Sequence, residues 1–255
     1  MDWAERRRFT IGAILIAVVL VVLAIALTAV VYEAPSCVDN KQNQSETGID
    51  CGGPCTNLCT AQQEPPVTPV PRLLRNSAGR TDLIASIENR NSDAAAKRVP
   101  YTIKLYDANL TFIKEIKGFV DLPPRSIVPL FIPGVAFGGD LGMRASLEIV
   151  ASEVAWYTLA TDPRVIPKVE SSPPSGSSSA PRIEATLTNT SLTTLANVHV
   201  VALVRDTTSG NVIAASETVV PTIAPQGKAV ATFTWNEPFA SPSVRVEILP
   251  VIPLP

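Results

Sequence analysis

Two hydrophobic patterns divide the chain. From Phe9 to Tyr32 the sequence reads FTIGAILIAVVLVVLAIALTAVVY, with no charge and no proline. Thr10, Gly12 and Thr28 are its polar interruptions. A bilayer core needs about 20 apolar residues in helix, and backbone amides in lipid must bond within their own segment. The run therefore predicts a membrane-spanning helix over residues 9–32. After it the pattern changes to period two. Tyr101, Ile103 and Leu105 alternate with Thr102, Lys104 and Tyr106, which is the signature of a half-buried strand. Turn signals separate such blocks, at Asn89–Asp93, Asp107–Asn109, Pro123-Pro124, Ser209-Gly210-Asn211 and Pro225-Gln226-Gly227. No stretch after Tyr32 holds a long helical period free of proline or glycine.

The strand blocks occur twice. Ser86-Ile87-Glu88-Asn89 lines up with Thr186-Leu187-Thr188-Asn189, and Tyr101 to Asp107 with Val200 to Asp206. Leu122-Pro123 lines up with Ile223-Ala224, and Leu147-Glu148-Ile149 with Val246-Glu247-Ile248. The order and near-constant spacing point to a duplicated domain. Short strands with regular turns predict a mainly β chain: one N-terminal transmembrane helix, then two tandem β-sandwiches. The boundaries read as a head at 1–8, the helix at 9–32, a cysteine-rich segment at 33–61 and a proline-rich spacer at 62–72. The first sandwich follows at 73–169, a Ser/Gly/Pro linker at 170–181 and the second sandwich at 182–255. Fragment 182–255 is expected to fold alone, with Val204 on its core face and His199 on the opposite face. The proline-rich stretch Leu249–Pro255 reads as a strand end with a frayed tail, or as a docking peptide.

Charge and cysteines then locate the chain. Arg6, Arg7 and Arg8 precede the apolar run, whereas Glu33 is the first charge after it. The positive-inside rule places the N-terminus in the cytoplasm and the rest outside. The rival, a cleaved signal peptide, has an apolar region of only about 7–15 residues. A net charge of -2 gives no case for nucleic acid. All four cysteines, Cys37, Cys51, Cys55 and Cys59, lie in one segment with few apolar side chains. On the oxidising side of a membrane they read as two disulfides, with three pairings open. Two alternatives compete: four thiolates around zinc, and calcium held by Asp39, Asn43, Glu46 and Asp50.

Chemistry is otherwise sparse. His199 is the only histidine, and it sits on a predicted strand, so no nucleophile–His–carboxylate set can be assembled without it. No phosphate loop or paired-histidine metal motif is present. Asp107 and Asp206 recur before equivalent turns and read as turn formers. Asn43-Gln44-Ser45, Asn109-Leu110-Thr111 and Asn189-Thr190-Ser191 fit the common N-glycosylation triplet.

Two resemblances add to this reading. Asn43, Glu46-Thr47 and Asp50-Cys51-Gly52-Gly53 resemble a short cysteine-rich motif of exported bacterial and archaeal proteins, although three residues separate Cys55 from Cys59. Ile103-Lys104-Leu105-Tyr106-Asp107 resembles the signature strand of FxLYD-type domains, with Ile for Phe. The second copy keeps Asp206 but has Ala202 and Arg205 at the signature positions. That resemblance implies small immunoglobulin-like sandwiches on a cell surface, with no active site to carry over. The expectation is a membrane-anchored extracytoplasmic structural or adhesive protein with a protein or envelope partner, no cofactor and no enzymatic activity. The alternative is an accessory subunit of an envelope secretion or pilus assembly.

Overall fold

The computed structural model describes residues 3–31, 36–43, 45–138 and 143–255. Met1 and Asp2 of the predicted head, Tyr32 of the predicted span and 33–35 of the cysteine-rich segment lie outside the described residues. The chain forms two compact units, Met1–Cys55 and Thr56–Pro255.

The first unit holds helix α1, Trp3–Val31. Its stretch Arg6–Leu27 has a mean hydropathy of 3.1 and no buried part, so it is long and apolar enough to cross a membrane. At its start the Arg7 guanidinium lies over the Trp3 ring, and the Thr10 hydroxyl donates to the Arg6 carbonyl. An amphipathic ring beside a cation suits a membrane–water boundary.

The second unit is built of β1 (Arg72–Arg75), β2 (Arg80–Asn89), β3 (Ala94–Tyr106), β4 (Phe112–Leu122), β5 (Ser126–Phe137), β6 (Arg144–Glu148) and β7 (Trp156–Thr158). It continues with β8 (Lys168–Ser171), β9 (Ser175–Ser177), β10 (Ala180–Thr188), β11 (Leu195–Asp206), β12 (Val212–Ile223), β13 (Lys228–Thr234) and β14 (Val244–Val251). Sheet β1-β2-β5 faces sheet β4-β3-β6, where β7 also pairs with β3. Between them lie Leu83, Ile87, Ile103, Leu105, Leu122 and Trp156. Sheet β13-β10-β8 faces sheet β12-β11-β14 around Ile183, Leu187, Val200, Val204 and Phe233. The inward positions expected of these strands are buried, with Ile103, Leu105 and Val204 fully so, and His199 is exposed, but in β11 Val201 and Leu203 on the His199 face are buried as well. Trp156 is a core residue, whereas Trp235 is half-buried at the core edge against Phe239.

The duplication is visible in hydrogen bonds. The buried Asn89 amide donates to the carbonyls of Ala94, Leu122 and Pro123, and its oxygen accepts from the Asn91 N–H. The buried Asn189 amide donates to Thr193, Ile223 and Ala224, and its oxygen accepts from the Ser191 N–H. Each asparagine ties the end of one sheet to the chain entering the other. The fourth block aligns two residues away from the expected match. Leu147 lies opposite Ile103, and the residue opposite Ala202 is Ile248 rather than Val246. A two-residue slip keeps the inward face inward, so alternation alone does not detect it.

Three predicted boundaries differ from the structure. The spacer 62–72 is docked along β2: Glu64 and Asn91 exchange bonds, Val67 and Glu88 exchange N–H to carbonyl bonds, and Arg72 pairs with Ile84. Proline removes donors, but the other backbone groups still pair at a sheet edge. The linker 170–181 contains the end of β8, all of β9 and the start of β10; β8 and β9 each pair with β10. Its serines and glycine have nothing apolar to bury, yet backbone pairing does not require it. The stretch after β14 is not frayed: the Leu254 N–H donates to Asp121, Arg164 donates to the Ile252 carbonyl, and Lys97 to the Pro255 carbonyl.

The largest difference concerns domain independence. The outer face of β11 is apolar, and Val201 and Leu203 are buried against Ile84 of β2 together with Val212 and Ala215. Leu74, Phe131, Leu249 and Val251 complete this third cluster. The second sandwich thus lays sheet β12-β11-β14 on the outer face of sheet β1-β2-β5. Arg72 to Asn211 and the Ser77 N–H to Glu237 add polar bonds across the seam.

Residues 182–255 alone would expose this seam and lack β8, so that fragment is expected to show no cooperative melt. Thr56–Pro255 is expected to unfold in one transition. Leu203→Asp should cost the longer fragment about 3 kcal/mol or more, since it buries an unpaired charge. At the equivalent position of the first copy, Lys104→Ala, which removes a half-exposed ion pair with Glu148, should stay within about 0.5 kcal/mol. Denaturant melts read by circular dichroism check both, and an equal effect of the two would refute the seam. Asn89→Ala and Asn189→Ala should each cost about 2–3 kcal/mol, because several buried carbonyls lose their donor.

Candidate functional site

Among the described residues, the cysteine loop and a cleft beside the seam both bring polar chemistry together. The loop has almost no apolar side chains, so something other than a core must hold it. Cys37 and Cys55 form a disulfide with Cα atoms 5.7 Å apart. Cys51 and Cys59 are also disulfide-bonded, and no described cysteine is free. With their sulfurs bonded in this way, the zinc alternative has no thiolates to draw on.

Of the four residues proposed for calcium, Asp39, Glu46 and Asp50 act as internal acceptors, and Asn43 acts as a donor. Asp39 accepts the Ser36 N–H, the Lys41 N–H and the Asn43 amide. Asp50 accepts the N–H groups of Asp39 and Asn40, one on each oxygen. Glu46, only 6% exposed, accepts from the N–H groups of Asn43 and Asp50 through one oxygen. Its other oxygen lies 3.1 Å from the Cys55 sulfur. The Asn43 side-chain oxygen is buried with no partner. The three carboxylates do not draw together; the group that does is Cys37, Glu46 and Cys55, and its sulfurs are bonded to each other. Each carboxylate therefore replaces a missing core by satisfying the loop's own backbone. Gly53, at φ 58°, lies so close to the Ser45 carbonyl that a Cβ would come within 2.3 Å of its oxygen. That explains one glycine of the Asp-Cys-Gly-Gly stretch.

The cleft has a volume of about 730 Å³, within the usual range for ligand sites. One wall comes from the β1–β2 turn and β5, with Arg75, Asn76, Arg80 and Phe131; the other has His199, Glu217, Trp235 and Glu237. Its charges are largely compensated. Arg80 pairs with Asp82 at 2.8 Å, and His199 Nδ1 lies 2.6 Å from Glu217. Glu237 accepts the Ser77 N–H at 2.7 Å. The Trp235 indole N–H donates to the Ala215 carbonyl. The Glu217 carboxylate fixes the orientation of the imidazole on an exposed strand face. Sequence reading missed this cleft, because its walls come from residues far apart in the chain and meet only through the seam. A signal was present: the unbroken apolar run Val200–Val204 exceeds what one buried face requires.

No protein-family model matches the chain, and no curated protein sequence matches it. Solved structures with partial likeness include red sea bream transglutaminase, at 13% identity and TM-score 0.27, covering 74% of this chain and 29% of that one. The exo-chitosanase of Amycolatopsis orientalis is 13% identical at TM-score 0.22, covering 71% and 25%. A β-glucuronidase of glycoside hydrolase family 2 is 12% identical at TM-score 0.21, covering 83% and 26%. The chain spans less than a third of each of these proteins, and likenesses at these scores carry no argument about its activity.

The Asp39 carboxyl is held below its ordinary range, first by the Asn43 amide and then by the Ser36 N–H. A lowered folded value means that its contribution is fully present above the unfolded value of about 3.9. The contribution is lost as pH falls through the lower folded value. An NMR titration should therefore place Asp39 below a free aspartate, and Asn43→Ala should bring it back up. A midpoint at or above the free value would remove the internal-acceptor account.

Proposed function

We propose that this chain is a membrane-anchored extracytoplasmic protein carrying two immunoglobulin-like domains of the FxLYD type, with a structural or adhesive role at the cell envelope. The observation that carries this reading is the apolar seam around Ile84, Val201 and Leu203. It makes two small sandwiches one stiff body, which suits a part that holds binding faces at a set distance from its anchor. The apolar helix supports the anchor, and the disulfide-held loop supports an oxidising compartment. The three arginines before the helix support an outward-facing second unit. The compensated charges of the cleft favour recognition over catalysis.

Protease added to intact, wall-stripped cells is expected to digest the β unit and leave a membrane-embedded fragment containing α1. Full protection of the β unit would overturn the orientation. Crosslinking in whole cells from the cleft residue Asn236 is expected to capture an envelope component. Capture of an assembly ATPase complex would favour the accessory-subunit reading instead.

A further inference from the structure

Two equivalent hairpin turns follow different rules. Between β11 and β12, Asp206 accepts the N–H groups of Thr208 and Ser209, and Gly210 takes the left-handed conformation at φ 70°. Every residue of that turn is polar or glycine. Between β3 and β4, Asp107 accepts the N–H groups of Asn109 and Thr111 at 2.8 and 2.7 Å. Here the left-handed position is held by a leucine, Leu110, at φ 65°. A bulky residue is unfavourable there. Leu110 is 61% exposed, Phe112 56% and Ile113 46%, so burial does not compensate. A sequence that breaks local rules in one copy and keeps them in the other marks a place under a separate demand.

That turn carries Asn109-Leu110-Thr111, one of three N-glycosylation triplets. The fold separates the three. Asn189 is fully buried, and its amide is spent on three carbonyls. Asn43 is half-buried, and its amide donates to Asp39 at 2.8 Å. Gln44, the middle residue of that triplet, lies outside the described residues. Asn109 is exposed at a hairpin tip, and among the described residues neither its side-chain amide nor the Thr111 hydroxyl takes a partner.

We propose that Asn109 is an N-glycosylation site, and that its glycan covers the apolar tip formed by Leu110, Phe112 and Ile113. The inference rests on the outward-facing reading of the β unit. The donor class is a polyprenyl-diphosphate-linked oligosaccharide, used by a membrane transferase. The Asn109 amide nitrogen forms a bond to the anomeric carbon. The bond from that carbon to the phosphate oxygen breaks, its electron pair leaves with the diphosphate, and one amide proton passes to the transferase. A saccharide's C–H faces pack on apolar side chains while its hydroxyls meet water, so the modified tip gains the cover that the fold does not supply.

The test uses the full chain from its native membranes. Intact cells are first treated with a membrane-impermeant amine reagent, and the purified protein is then mapped by glycopeptide mass spectrometry. The expected result is a labelled Lys228, a glycan on the Asn109 peptide, and unmodified Asn43 and Asn189. Thr111→Ala should abolish the glycan and Thr111→Ser should retain it. A labelled Lys228 with bare Asn109 overturns the glycosylation inference alone. An unlabelled Lys228 with bare Asn109 overturns the outward-facing reading and this inference with it.

Discussion

The arrangement of the β unit depends on burying one strand on both sides. Strand β11 turns Val200, Ala202 and Val204 into its own sandwich and Val201 and Leu203 onto the neighbouring sheet. A sandwich of about 70 residues buries only around 60% of its chain surface and is marginal alone. Covering the outer face of β11 against β2 and β5 adds apolar burial that neither sandwich has within itself. The other cross-connections assemble around that contact. The Arg72–Asn211 and Ser77–Glu237 bonds flank it, and the stretch after β14 continues past it to Asp121 and Arg164.

The two copies show which features duplication kept and which it released. Both keep a buried asparagine that ties strand end to strand end, and both keep an aspartate that closes the next hairpin. Their sheet faces diverged. Where the second copy has Val201 and Leu203, the first has Thr102 and Lys104, and Lys104 pairs with Glu148 at 2.7 Å. A polar face there does not offer the apolar area that the seam on β11 uses. Repeat arrays generally need such polar outer faces for solubility. The turn at Asn109 diverged in the opposite direction, toward apolar exposure.

The cysteine loop solves a different problem, that of ordering a segment too polar to form a core. Its disulfides limit the unfolded ensemble, and Asp39, Glu46 and Asp50 supply acceptors for N–H groups that would otherwise lack partners. The residue types that suggest a cation site are the same ones that cap backbone. Only their bond directions separate the two roles.

By itself, the sequence determined the elements that rest on local periodicity. The uncharged run gives α1, and alternation gives the β strands with Val204 inward and His199 outward. The spacing of four blocks reveals the duplication, with one block displaced by an even number of residues that alternation does not register. These are legible because a side chain's face follows from its position along the chain. The tertiary structure alone decided what lies against each face. Gln62 to Arg72 looks like a free spacer because proline stiffens it, but backbone groups within it meet β2. Glu170 to Pro181 looks like a flexible linker because its side chains bury nothing, but backbone pairing is indifferent to side chains. The Cys37–Cys55 pairing, the carbonyls bridged by Asn89 and Asn189, and the cleft beside His199 all join residues distant in sequence. Such contacts follow from loop closure and shape matching between sheets, neither of which leaves a period in the sequence.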